Sequence, residues 1–254
     1  SESPFRAETL AQHIAELVRE RQAAARAEVA IAARYPEHKP APVSGIQTQE
    51  IYTLYGRAVA TESATRHLVG VSATGMTACP CAQELIAGRA RGRLAEEEGF
   101  SAEQIERILA VVPVATHNQR GLGTLHIGCP PGGEAEIDGK TLLGIVEGAM
   151  SSEIYELMKR SDEASVVEKA HRRPRFVEDC VREMLAGVVR AFPELDGGSF
   201  VSARQENLET IHRHNVLAER HGLLRELRDE VQSGVPAARH TTLEQWLDGA
   251  GSGA

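Results

Sequence analysis

Three short stretches of this 254-residue chain concentrate side chains that bind metals or move protons. GMTACPCAQ (75–83) separates Cys79 from Cys81 by Pro80 alone, THNQRG (116–121) centres on His117, and a segment from Glu209 carries His212 and His214 two residues apart. A thiolate, an imidazole and a carboxylate around one ion, with a position left for water, make a catalytic rather than a closed structural metal site. No second C-x-C or C-x-x-C accompanies the Cys79–Cys81 pair, so a four-thiolate zinc site within one chain is unsupported. Each stretch alone also has an ordinary use as a turn, a hydrogen-bonded loop or a chance H-x-H. On a regular strand Glu209 has the opposite parity to His212 and His214, so a shared site requires a bulge or bend.

The remaining composition narrows the setting. Lys plus Arg number 28 against 36 Asp plus Glu, a formal charge of −8, which argues against a surface that coats nucleic acid or anionic membrane. No apolar run reaches the ~18 residues of a membrane span and no charged-then-apolar leader is visible, so a cytoplasmic protein is expected. The four cysteines are too few and too unevenly placed for a disulfide scaffold; Cys129 and Cys180 read as buried thiols.

The elements that must position these groups follow from periodicity. Leu10, Ile14, Leu17 and Val18 predict an amphipathic helix over 7–26 with those residues as its buried face. A strand is expected at 28–35, broken by the proline-rich stretch 36–42, then strands at 47–60 and 66–74 joined as a hairpin around 61–63. Helices are expected at 83–98 and 101–109, the second with a Ser101/Gln104 capping box. A short strand at 123–127 leads to a Gly/Pro turn at 128–133 and then helices through 142–158. Pro174 sits at the first turn of a helix whose apolar face includes Val177, Cys180, Val181, Met184 and Val188, and 200–204 is a final strand. The sum is one α+β domain over 1–248 with two antiparallel strand pairs and a flexible tail at 249–254.

Taken in order, PVSGI (42–46), QEIY (49–52), GMTACPCAQ, ATHNQRG, SEIYEL (152–157), VEKA (167–170), FVEDC (176–180) and 205–214 resemble the GTP cyclohydrolase IB superfamily. The helical insertion between the CPC and HNQR motifs makes its archaeal MptA branch (GTP cyclohydrolase IV) the nearer. The resemblance implies a tunnelling fold: an antiparallel sheet with helices packed on one face, assembled into a homo-oligomeric barrel with active sites between subunits. It implies Cys79, His117 and Glu153 as ligands of one divalent ion, Fe(II) by family precedent, with Zn(II) or Mn(II) also compatible. It implies Glu168 as the guanine anchor, a carboxylate accepting two parallel hydrogen bonds, and His212 and His214 for proton transfer and phosphate contact. Glu209 orients a histidine or the substrate, Cys81 belongs to the site wall, and Arg120 contacts phosphate. The family usually has a β-rich segment ahead of the helix with which this sequence almost begins, so its sheet is expected to lack those strands.

The implied reaction is hydrolysis of GTP at C8 by an ion-activated water, with ring opening and loss of formate. The MptA branch implies 7,8-dihydroneopterin 2′,3′-cyclic phosphate plus pyrophosphate, in methanopterin-type cofactor synthesis; the IB branch implies 7,8-dihydroneopterin triphosphate. A noncatalytic purine- or pterin-binding barrel, and an oligomerisation protein whose CPC pair binds zinc, are the readings from other classes. Neither nucleic acid nor membrane is an expected partner.

Overall fold

The computed structural model describes residues 6–132 and 137–249. Six long strands run antiparallel in the order β1 (Arg26–Pro40), β2 (Gln47–Thr61), β3 (Thr65–Ala78), β4 (Asn118–Cys129), β6 (Phe200–Leu208), β7 (Val216–Leu223), while the two-residue β5 (Ser152–Glu153) pairs with β3. The architecture is α+β, one sheet rather than two strand pairs. β7 lies beyond the strand expected to be last.

Proline does not break β1, which pairs with β2 through Pro36↔Ile51 and Pro40↔Gln47. Being four residues apart, the two prolines place both missing N–H groups on the same side of the strand, and β1 is an edge strand with one side unpaired. The β2–β3 hairpin forms as expected, with Thr61 N donating to Ala64 O at 3.0 Å.

The core lies on one face of the sheet. Leu54, Val71, Leu125, Ile127 and Ala203 from the strands meet Leu142 and Val146 of α4 (Gly139–Ala149) and Cys180, Met184 and Val188 of α6 (Val177–Ala191). The apolar face expected of α6 is buried, although Pro174 lies ahead of the helix, whose N-cap is Phe176. The helix expected through residue 158 stops at Ala149, and 152–153 forms β5 instead.

Helix α1 (Ala7–Arg21) buries a different stripe from the one periodicity suggested. Ala7, Ala11 and Ala15 are fully buried, while Leu10 and Val18 are 40% and 43% exposed. The reason is the surface beneath. Gly56, Ala58 and Ala60 of β2 form a shallow floor, and a Cβ at Gly56 would lie 2.1 Å from the backbone carbon of Ala7. Side chains as small as alanine's at positions 7, 11 and 15 let the helix approach so closely.

Helices α2 (Pro80–Glu96) and α3 (Ala102–Val111) form a peripheral pair, and the Ser101/Gln104 capping box is present. After β7, α7 (Leu224–Ser233) adds Leu224 and Leu227 to the main core. The chain then carries α8 (Leu243–Leu247) to the opposite face, where Trp246 packs against Val59, Leu68, Phe200 and Leu223. The helices are therefore not confined to one face. No helix among the described residues is long and apolar enough to cross a membrane. Residue 133 of the expected turn and 250–254 of the expected tail lie outside the described residues.

Candidate active site

The end of β3 and the start of β4 are adjacent strands, so the CPC and HNQR motifs meet. Cys79 N donates to His117 O at 3.1 Å, and the Thr116 hydroxyl donates to Cys79 O at 2.8 Å. These two bonds fix Cys79 and His117 side by side. Ala78 is held on both sides, its N–H donating to Ser151 Oγ at 3.1 Å and its carbonyl accepting from Arg175 N at 2.9 Å. Cys79 is the N-cap residue of α2 and Pro80 opens the helix, so the strand turns away immediately after the thiol. Gln83, one turn on, donates to Val114 O at 2.8 Å and His171 O at 2.6 Å, tying α2 to the segments ahead of His117 and at the end of α5 (Arg160–Arg172).

A cavity of about 260 Å³ opens beside this junction, lined by Cys79, His117, Gln119, Asn207, Glu209, His212 and His214 with Arg175, Phe176 and Val216. The parity conflict between Glu209 and the histidines disappears because β6 ends at Leu208 and the chain bends through 209–214 before β7. His212 lies edge-on to His117 with centroids 6.2 Å apart and stacks on His214 at 5.3 Å. The Glu209 side chain is 8% exposed, with Oε2 3.8 Å from His117 Nδ1 and no hydrogen-bond partner.

Sequence reasoning missed the amides around this cavity. His117 Nδ1 lies 3.0 Å from Gln119 Oε1, and Gln119 Nε2 donates to Thr77 Oγ1 at 3.1 Å. Gln205 Nε2 donates to Asn207 Oδ1 at 3.1 Å. Thr77, Gln119, Gln205 and Asn207 are all buried. Gly121, the last residue of THNQRG, makes room for them: a Cβ there would lie 2.3 Å from Gln205 Nε2. The signal available in the sequence was that glycine two residues after Gln119, on a strand whose register pairs Gly121 with Asn207.

Other residues singled out in the sequence lie elsewhere in the chain. Glu153 pairs across β5 with Gly75, four residues before Cys79 and so about 13 Å along the strand. It hydrogen-bonds with Lys169 and Tyr155. Burial raises its carboxyl, but these bonds outweigh that effect and hold it below the usual range. Glu168 is exposed on α5, paired with Arg172 at 2.8 Å. Arg120 is exposed on β4, and Cys81 is exposed in the first turn of α2; neither lines the cavity.

Among the described residues, no three His, Cys, Asp or Glu side chains are gathered into a cluster able to hold a metal ion. The donor chemistry at the cavity nevertheless fits a borderline divalent cation: one sulfur, imidazole nitrogens and a buried carboxylate oxygen without a hydrogen bond.

The sequence family described as type I GTP cyclohydrolase folE2 matches residues 1–218. The chain belongs to this GTP cyclohydrolase family. It is 44% identical over 225 residues to GTP cyclohydrolase MptA of Methanococcus maripaludis strain C5, covering 87% of this chain and 70% of that protein. It is 41% identical over 222 residues to GTP cyclohydrolase MptA of Methanococcoides burtonii, covering 85% and 69%. Uricase from Arthrobacter globiformis resembles it at a TM-score of 0.46 with 10% identity, over 86% of this chain and 70% of that one, too slight a likeness to bear on fold or function. The family match spans every residue lining the cavity and ends inside β7, so α7 and α8 lie beyond it.

Proposed function

We propose that this GTP cyclohydrolase opens the imidazole ring of GTP at C8 and releases formate, yielding 7,8-dihydroneopterin 2′,3′-cyclic phosphate and pyrophosphate. The observation that carries the reading is the convergence of Cys79, His117, Glu209, His212 and His214 on one cavity. Cys79 and His117 would hold a divalent ion, Fe(II) in the first instance with Zn(II) or Mn(II) as substitutes. Such an ion, when bound, supplies Lewis acidity to a water molecule.

The protein's own groups do the rest. His212 and His214 exchange protons with the ring nitrogens and the departing formyl carbon's oxygen, a role suited to a side chain that titrates near neutral pH. Glu209 faces His117, its Oε2 3.8 Å from Nδ1, and would help to hold the ring in place. Glu153 does not line the cavity within one chain, so in this reading a second copy supplies it as third ligand; Glu168 would anchor guanine from the same side. This reading therefore includes a homo-oligomer of the tunnelling type. It is compatible with β1 and β7 being the two edge strands of the sheet among the described residues.

Anaerobic incubation with GTP and Fe(II), Mn(II) or Zn(II), followed by mass analysis, tests the reaction. Cyclic phosphate with formate is the expected result. The triphosphate product would move the chain to the IB type, and GTP binding without turnover would favour a binding barrel. Cys79→Ala and His117→Ala should each lose metal and turnover; full metal content with normal activity would overturn the ligand assignment.

A further inference from the structure

We propose that Gln119 is a positioning residue that keeps the His117 proton on Nδ1, leaving the Nε2 lone pair free to bind a ligand. The inference deepens the metal reading above and rests on it only for the identity of that ligand. Gln119 is 5% exposed on β4 and touches two partners, His117 Nδ1 at 3.0 Å and Thr77 Oγ1 at 3.1 Å. Its amide could satisfy both in either orientation, because a hydroxyl donates or accepts and a neutral imidazole nitrogen does one or the other.

The choice is made by Glu209. Its Oε2 is buried, has no hydrogen-bond partner, and lies 3.8 Å from the same Nδ1. With the amide flipped, Nδ1 would present a lone pair toward that carboxylate oxygen, and a buried acceptor would face another acceptor. With Gln119 Oε1 toward the ring, Nδ1 carries the proton and donates it to that oxygen, and the Glu209 carboxylate oxygen 3.8 Å away faces a protonated nitrogen rather than a lone pair. Thr77 is fully buried and completes the support by accepting from Gln119 Nε2. An imidazole whose far nitrogen donates to a fixed acceptor is the arrangement that orients metal-binding histidines, and loss of the acceptor typically costs ~10–100-fold in metal affinity.

The test reads the tautomer directly in the metal-free protein. Solid-state 15N spectra of histidine-labelled full chain, with the His117 signal identified by its absence in His117→Ala, should show Nδ1 protonated and Nε2 bare. Gln119→Leu should shift His117 toward the Nε2–H tautomer and weaken Zn(II) binding ~10–100-fold, whereas Gln119→Glu, which keeps an acceptor, should restore both. An Nε2–H tautomer in the unaltered protein, or unchanged tautomer and affinity in Gln119→Leu, would overturn the proposal. An Nδ1–H tautomer with no Zn(II) binding to any form would sink the metal reading and leave the tautomer assignment standing.

Discussion

Replacing Gly56 with alanine tests why α1 packs through its alanines. An ideal Cβ at this position lies 2.1, 2.2 and 2.5 Å from Ala7 C, Ala7 O and Glu8 N. All three are backbone atoms, so no rotamer change relieves the contact and the helix itself must move outward by more than 1 Å to reach ordinary separation. If the helix shifts and stays docked, the cost is that of overpacking, about 1–3 kcal/mol. If it detaches, the methyls of Ala7, Ala11, Ala15, Ala58 and Ala60, all fully buried, lose their cover; at ~0.8 kcal/mol per group that is about 4 kcal/mol. Urea unfolding should therefore report a loss of about 1–4 kcal/mol, and limited trypsin digestion should cut faster at Arg19 or Arg21 near the end of α1. Gly88→Ala is the control: Gly88 lies within α2 with nothing within 4 Å of its added Cβ, so alanine should stabilise by up to ~1 kcal/mol. A Gly56→Ala protein as stable as the parent, with unchanged digestion, would refute the close-approach argument.

Asp162 is fully buried, and its carboxylate accepts hydrogen bonds from Val43 N, Ser44 N, Ser44 Oγ and Lys159 N, fastening the β1–β2 loop to the start of α5. Burial opposes the charge, but these bonds outweigh it and depress the carboxyl well below its usual range. Its stabilising contribution is thus present above the unfolded-state value near pH 4 and is lost as pH falls below that toward the folded-state value. Asp162→Asn should lower Tm at pH 7, with the gap to the parent narrowing below about pH 4; a gap independent of pH would contradict this assignment. Trp246 is fully buried, donates from Nε1 to Gly198 O at 2.9 Å and lies under the Arg66 guanidinium. Trp246→Ala should cost about 3–5 kcal/mol in chemical denaturation, and a loss below ~1 kcal/mol would show that α8 contributes little to the fold. Glu168→Gln should weaken GTP binding by an order of magnitude or more with unchanged stability, measured by calorimetry; unaltered affinity would remove Glu168 from guanine recognition.

Much of the chemistry was legible in the residues themselves, because thiols, imidazoles and carboxylates beside Gly and Pro stand out against an ordinary background. The elements with strong local signals were legible too: the Ser101 capping box, the β2–β3 hairpin and the broad apolar face of α6 each follow from interactions within a few residues. What the sequence left open depended on partners distant along the chain. Two prolines look like a strand breaker until β1 is known to lie at an edge with one side unpaired. Leu10 and Val18 look like the inward face of α1 until a glycine-alanine floor on β2 draws in the alanine stripe of the helix instead. Gln119, Gln205 and Asn207 carry no mark of burial in their composition, since an amide is as common on a surface; only the β3–β4–β6 register buries them behind the cavity, where an amide must find partners. The β3–β5 register sets Glu153 opposite Gly75 rather than Cys79, and the bend after Leu208 gathers Glu209 with His212 and His214. Residue type determined which chemistry was available, whereas tertiary structure decided which groups meet, because hydrogen bonding and close packing select partners by position in space.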